Sequence, residues 1–248
     1  EDLKKQLMLL DESCPVSVMF NDHFKNFMVL TKYDVRTFNP FNGKMDRAFA
    51  DLIKPQKGFT PRATIFAIGS KNRKFYLGDN MGNVVMFNTK NGEFLKKVNN
   101  IDQDYKIAQK FATSSFYKLN ETVDREISNI LYLPDEKLLI VTVNSLIFIY
   151  DEIDSEESRL LKFFIGGHEE ADITSICYCH ELTYLVTGSA NGIVNVWDLE
   201  TSNHAAVLYG TNARVVGVGV LKPFGALAVC SADGQLCIWE LSINSETK

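Results

Sequence analysis

Apolar residues in the C-terminal half of the chain gather in short runs of strand length, each closed by a polar turn. Ile173–Tyr178, Tyr184–Ser189 and Ile193–Asp198 are rich in β-branched and aromatic residues and predict three consecutive strands. Asn191-Gly192 separates the second from the third. An Asn-Gly pair supplies the positive φ angles of a two-residue hairpin, so these two strands are expected to pair antiparallel across a tight turn. The rhythm then repeats. DITSICYCHELTYLVTGSANGIVNVWDL (172–199) is followed by RVVGVGVLKPFGALAVCSADGQLCIWEL (214–241), with Trp239 placed 42 residues after Trp197 and Asp233-Gly234 replacing Asn191-Gly192.

Weaker copies precede this pair. FMVLTKYDVRTFN ends at Phe38-Asn39 and follows the strand-like Val16–Phe20. FYLGDNMGNVVMFN ends at Phe87-Asn88, with Gly78 and Gly82 marking its turn, and KLLIVTVNSLIFIYD ends at Tyr150-Asp151. The closing aromatics at 38, 87, 150, 197 and 239 are spaced 49, 63, 47 and 42 residues apart and define five units. A three-stranded meander cannot bury both faces alone, so stacked copies are required. Fourth strands are expected at Lys44–Ala50, Glu93–Val98, Leu160–Ile165 and Ala205–Tyr209, and the last unit has none.

The unit resembles the WD40 repeat, whose copies form four-stranded blades of a β-propeller. Gly167-His168 stands ahead of Trp197-Asp198 at the family's Gly-His to Trp-Asp spacing. The resemblance implies a buried, structural hydrogen-bonded set at His168, Thr187, Asn191 and Trp197, with Asn in place of the family's Asp. In the last unit it implies Asp233 and Trp239, although Gly210-Thr211 stands for Gly-His and Glu240 for the terminal Asp. The first three units lose nearly all of these residues. The expected architecture is therefore all-β: about five WD40-like blades near 13–50, 62–98, 126–165, 170–209 and 212–241. A 1–12 lead-in or closing strand (Leu7–Leu10), an insertion at 99–126 and a 242–248 tail complete the expected layout. Propellers close with roughly four to eight blades, so an incomplete or fragmentary ring is the expectation.

Residues 99–126 are polar and show no strong period, and 151–157 form an acidic loop read as a solvated hairpin. Charge is uneven. Residues 1–124 carry 19 Lys and Arg against 14 Asp and Glu, a net +5, whereas residues 125–248 carry 7 against 17, a net −10. This argues against the continuous basic face of a nucleic-acid binder. No apolar stretch is long enough to span a membrane, and hydrophobic residues at 46% supply a full core. Five cysteines without framework spacing read as reduced thiols of a cytoplasmic protein.

Candidate chemistry is sparse. In Cys177-Tyr178-Cys179-His180 the two thiols share one strand face, but no further ligand pair completes a zinc site. Cys230 and Cys237 flank the Asp233-Gly234 turn and read as packing residues. Gly217-x-Gly219 lies within a Val-rich strand rather than between strand and helix, so it is no phosphate loop. Lys71-Asn72-Arg73-Lys74 reads as a solvated turn, His23, His180 and His204 as turn residues, and Asn120-Glu121-Thr122 as an unused sequon. No nucleophile, base and oxyanion donor converge, so neither an enzyme nor a cofactor is expected.

The expected function is a non-catalytic protein–protein interaction scaffold within a larger assembly. Degenerate early units and a long insertion also resemble large ciliary WD-repeat proteins, including the EF-hand-containing WD-repeat type. That resemblance implies an axonemal setting in the cilium or flagellum, with axonemal proteins or tubulin as partners and neither nucleic acid nor membrane. The alternative is a reader of peptide tails or phospho-motifs at a channel mouth, with Arg62 and Arg214 as candidates.

Overall fold

A computed structural model describes residues 14–53, 61–111, 125–152 and 158–240. The expected lead-in at 1–12, the sequon, most of the acidic loop and the 242–248 tail lie outside these residues. Among the described residues, nineteen strands fall into five sheets. Sheet 1 is β1 (Ser17–Asn21), β2 (Asn26–Leu30), β3 (Val35–Phe38) and β4 (Met45–Phe49). Sheet 2 is β5 (Ala63–Ile68), β6 (Lys74–Asp79), β7 (Val84–Asn88) and β8 (Phe94–Lys97). Sheet 3 is β9 (Ile127–Leu133), β10 (Leu138–Val143), β11 (Leu146–Asp151) and β12 (Arg159–Phe164). Sheet 4 is β13 (Ile173–Cys179), β14 (Tyr184–Ser189), β15 (Ile193–Asp198) and β16 (His204–Tyr209). Sheet 5 has three strands, β17 (Val215–Leu221), β18 (Ala226–Ser231) and β19 (Leu236–Glu240). Within each sheet the strands lie side by side in chain order, the meander that short turns enforce. The architecture is the nearly all-β array of WD40-like blades that the repeat predicted.

Two compact units divide the chain: residues up to Val141 with Phe148–Phe163, and Thr142–Ile147 with the segment from Phe164 onward. In the first, alternation turns Met28, Leu30, Val35 and Phe49 of sheet 1 toward Phe66, Phe75, Leu77 and Phe87 of sheet 2. The Phe75 and Phe87 rings stack at 5.3 Å, and burying each adds about 2 kcal/mol of hydrophobic stabilisation. Glycine in β6 sets the close approach to β9. A Cβ on Gly78 would stand 2.8 Å from Ile127 Cβ, so Gly78 is a strand residue rather than a turn marker. In the second unit Val186, Val194 and Val196 of sheet 4 pack on Val215, Leu227 and Val229 of sheet 5.

The hairpin turns differ from the two-residue form expected of Asn-Gly. β14 ends at Ser189 and β15 starts at Ile193, and only Gly192 has a positive φ (86°). Gly192 N–H donates to Ser189 C=O and Asn191 stays in the ordinary region, as in a longer turn closed by one left-handed glycine. A side chain at Gly192 would collide with Thr211 O, 2.4 Å from the Cβ position. Gly234 (φ 84°) repeats the device in sheet 5.

The polar stretch after sheet 2 contains a helix, α1 (Ile101–Gln109). Asn100 caps it by accepting from Gln103 N–H, and Asp102 and Asp104 occupy the first turn, where the helix dipole favours negative charge. Ile101, Tyr105 and Ala108 form its buried stripe.

Candidate functional site

Polar chemistry inside sheet 4 centres on one hydroxyl. Thr187 lies mid-β14, opposite Asn195, and is fully buried. Its Oγ1 stands 2.8 Å from Trp197 Nε1, which donates to it, and 2.7 Å from His168 Nε2. The indole can only donate, so the hydroxyl accepts from Trp197, while the direction of its bond to the imidazole follows the His168 tautomer. Burial, and then the positive charge His204 can carry, hold the His168 imidazole down to about 4, so it is neutral at physiological pH. Its Nδ1 has no hydrogen-bond partner among the described residues.

Asn191 meets His168 through the main chain. Its Oδ1 accepts from Ser189 Oγ at 2.6 Å, and its Nδ2 donates to the backbone carbonyl of His168 at 3.2 Å, not to the ring. Gly167 (φ 79°) lets the chain pass over the indole; a Cβ there would stand 2.9 Å from Trp197 Cη2. Phe164 and His204 also pack against the indole, at 5.0 Å and 4.8 Å between ring centroids. His204 is therefore not a turn residue. It opens β16 opposite Trp197, and its Nε2 meets Asn195 Oδ1 at 2.7 Å.

Sheet 5 does not repeat the arrangement. Val229 occupies the rung that Thr187 holds in sheet 4, facing Cys237 as Thr187 faces Asn195. Trp239 is half-buried in β19 beside Gly210. Asp233 sits on the exposed turn, where the Ser231 hydroxyl holds its carboxyl below the usual range. The relay of His168, Thr187 and Trp197 is thus assembled at sheet 4.

A second polar pair, unforeseen from sequence, ties α1 to sheet 3. Tyr150 hydroxyl donates to Asp104 Oδ2 at 2.7 Å, and both residues are buried. Burial raises the Asp104 carboxyl, an effect the tyrosine proton opposes. Lys96 of β8 meets Glu152 at 2.9 Å in an ion pair with both side chains buried, and Ser158 Oγ donates to the same carboxylate. Glu152, the second residue of the expected acidic loop, is therefore turned inward. The signal for α1 was present in the Asn100 cap and the i, i+4, i+7 spacing of Ile101, Tyr105 and Ala108.

The remaining candidates are structural in their contacts. Cys177 and Cys179 are free thiols; burial pushes Cys177 up to about 12 and raises Cys179. Among the described residues no group of three His, Cys, Asp or Glu gathers as metal ligands would. Cys230 is exposed and pairs with Leu236, whereas Cys237 pairs with Val229 one rung away; the two thiols consequently lie on opposite faces. Arg62 is paired with Glu126 at 2.9 Å, and Arg214 C=O accepts from Ala232 N–H. Among the described residues no helix is long and apolar enough to cross a membrane.

Five antiparallel meander sheets of three or four strands, one of them holding a buried His-Thr-Trp relay, are consistent with WD40-like blades. Residues 159–198 match the family described as WD domain, G-beta repeat, the segment holding β12 to β15 and the relay. The chain is 27% identical over 124 residues to Target of rapamycin complex subunit wat1 of Schizosaccharomyces pombe, covering 50% of this chain and 38% of that protein. It is 23% identical over 184 residues to Cilia- and flagella-associated protein 337 B of Tetrahymena thermophila, covering 65% and 14%. The chain thus spans well under half the length of either curated relative. WD40 sheets typically serve as non-catalytic interaction scaffolds, and one of these relatives is a complex subunit by name.

Proposed function

We propose that the chain is a non-catalytic scaffold of a multi-subunit axonemal assembly, contacting other axonemal proteins, tubulin among them. The observation that carries the scaffold reading is the inward use of polar chemistry. His168, Thr187, Trp197, Asp104 and Tyr150 bond one another inside the sheets, which leaves recognition to loops, edges and outer faces. Support for the ciliary setting comes from the match to the cilia- and flagella-associated relative, which covers 65% of the chain against 50% for the other. In the cell body the protein is cytoplasmic.

Proximity labelling from a tagged protein in a ciliated cell tests this. The expected result is enrichment of axonemal proteins and retention of the tag in detergent-extracted axonemes. Label restricted to the cell body, with subunits of a target-of-rapamycin complex enriched, would replace the axonemal reading. Labelling no different from an untethered control would remove the scaffold reading itself.

A further inference from the structure

A cavity of about 360 Å³ lies between two turns of the second unit. Cys179 closes β13, and Glu181 and Leu182 follow it in the turn to β14. Val220 stands near the end of β17, and Lys222 and Pro223 open the turn to β18. The two strands beneath these turns are clamped side by side. Thr174 Oγ1 donates to Val215 C=O at 2.6 Å, and Val218 N–H donates to Ser175 Oγ at 3.0 Å. The cavity is thus held at a fixed width, at the low end of the roughly 300–1,000 Å³ typical of ligand clefts.

Leu182, Val220 and Pro223 give the cavity apolar walls, and Glu181 is the carboxylate among its lining residues. Lys222 holds the Glu181 carboxyl below its usual range, so the group is ionised at neutral pH. Each oxygen has a donor that a stronger one can displace. Oε1 meets Lys222 Nζ at 3.0 Å, but both side chains are more than half exposed, and such pairs open at little cost. Oε2 accepts at 3.5 Å from the Cys179 thiol, a weak donor. A guanidinium presents two parallel N–H groups that match both oxygens of a carboxylate, and its methylene stem suits apolar walls. Charge favours the same visitor. Residues 164–240 carry 8 Asp and Glu against 2 Lys and Arg, a net −6, and Lys222 is one of those two cations.

We propose that this cavity receives an arginine side chain from a partner protein. The guanidinium takes both Glu181 oxygens as Lys222 swings out to solvent, and the methylenes lie along Leu182, Val220 and Pro223. The volume left over accommodates an apolar neighbour of the arginine, so the ligand is a short peptide segment. This contact is independent of the axonemal reading, since it holds whatever assembly supplies the arginine.

Calorimetric titration of the whole chain with a blocked leucyl-arginyl-leucine tripeptide, beside its glutamyl counterpart, provides the test. Binding of the arginyl peptide alone is expected, with backbone amide shifts at Glu181, Leu182, Val220 and Lys222 in NMR spectra of the same mixture. Glu181→Gln should weaken that binding about tenfold or more. Lys222→Gln removes the resident competitor and should tighten it about two- to fivefold. Both side chains are more than half exposed, so each variant is expected to keep the wild-type circular dichroism, and Lys222→Gln tests the exchange with Glu181 intact. No binding of the arginyl peptide, amide shifts confined to other turns, or a Glu181→Gln chain that binds like wild type would each overturn the proposal. Weaker binding by Lys222→Gln, or a preference for the glutamyl peptide, would assign the cavity to an acidic partner and overturn it as well.

Discussion

Replacing Thr187 by Val tests whether the relay in sheet 4 is a polar lock or merely well-packed volume. Valine is close to isosteric with threonine, and the protein already places Val229 on the equivalent rung of sheet 5, so the shape is tolerated. What the change removes is the single oxygen shared by Trp197 Nε1 at 2.8 Å and His168 Nε2 at 2.7 Å. Both ring nitrogens would then be buried without their partner, and neither side chain has room to reach water. Each orphaned group costs about 1–3 kcal/mol, of which the extra buried methyl returns a fraction, so a net loss of about 2–4 kcal/mol is expected. Urea unfolding followed by tryptophan fluorescence measures it, with Val229→Thr as the mirror control; that change adds a hydroxyl to a sheet whose preceding turn has Gly210-Thr211 in place of Gly-His. A Thr187→Val chain within 0.5 kcal/mol of wild type, a value of about one surface-substitution scatter, would refute the reasoning. The hydroxyl would then be spectator volume and the indole its own support.

Three further expectations are independent of that one. The His168 imidazole is held at about 4 against an ordinary 6.5, so the unfolded chain binds the proton more readily. Stability is therefore full above about 6.5 and declines as pH falls toward about 4, with a total loss of about 3 kcal/mol. Thermal melts across that window should show the slope in wild type and lose most of it in His168→Gln; equal slopes would sink the assignment. Gly188→Ala puts a Cβ 2.4 Å from Val215 Cγ1 and should cost about 1–3 kcal/mol by scanning calorimetry, whereas Gly217→Ala should be close to neutral. Tyr150→Phe withdraws the proton offered to the buried Asp104 carboxylate, raising that carboxyl further and costing about 1–3 kcal/mol. Asp104→Asn in the same background should recover part of the loss in urea titrations, and no recovery would place the effect elsewhere.

Strand rhythm, turn chemistry and aromatic spacing are local properties, and they were legible. The fourth strands of sheets 1 to 4 begin and end within about two residues of the runs that mark them. The spacing of Gly167-His168 and Trp197 likewise pointed to the residues that meet in sheet 4. Turn geometry was less accessible, since one left-handed glycine after an ordinary turn and a two-residue hairpin share the same Asn-Gly letters. The helix at 101–109 was missed because a single short stripe is weak beside strong strand periods, although its cap was in plain sight.

What the sequence by itself determined is the repeating sheet: alternation of period two, closed by glycine turns, leaves no other regular structure with a buried face. What only the tertiary structure decided is which polar side chain found which partner. Asn191 bonds the His168 backbone, Asp104 reaches Tyr150 46 residues on, and Lys96 neutralises Glu152 inside a region the sequence marked as a solvated loop. The physical reason is one of range. Periodicity records how a residue faces its own strand, whereas the desolvation that forces a buried polar group to find a partner arises only once distant strands have closed over it.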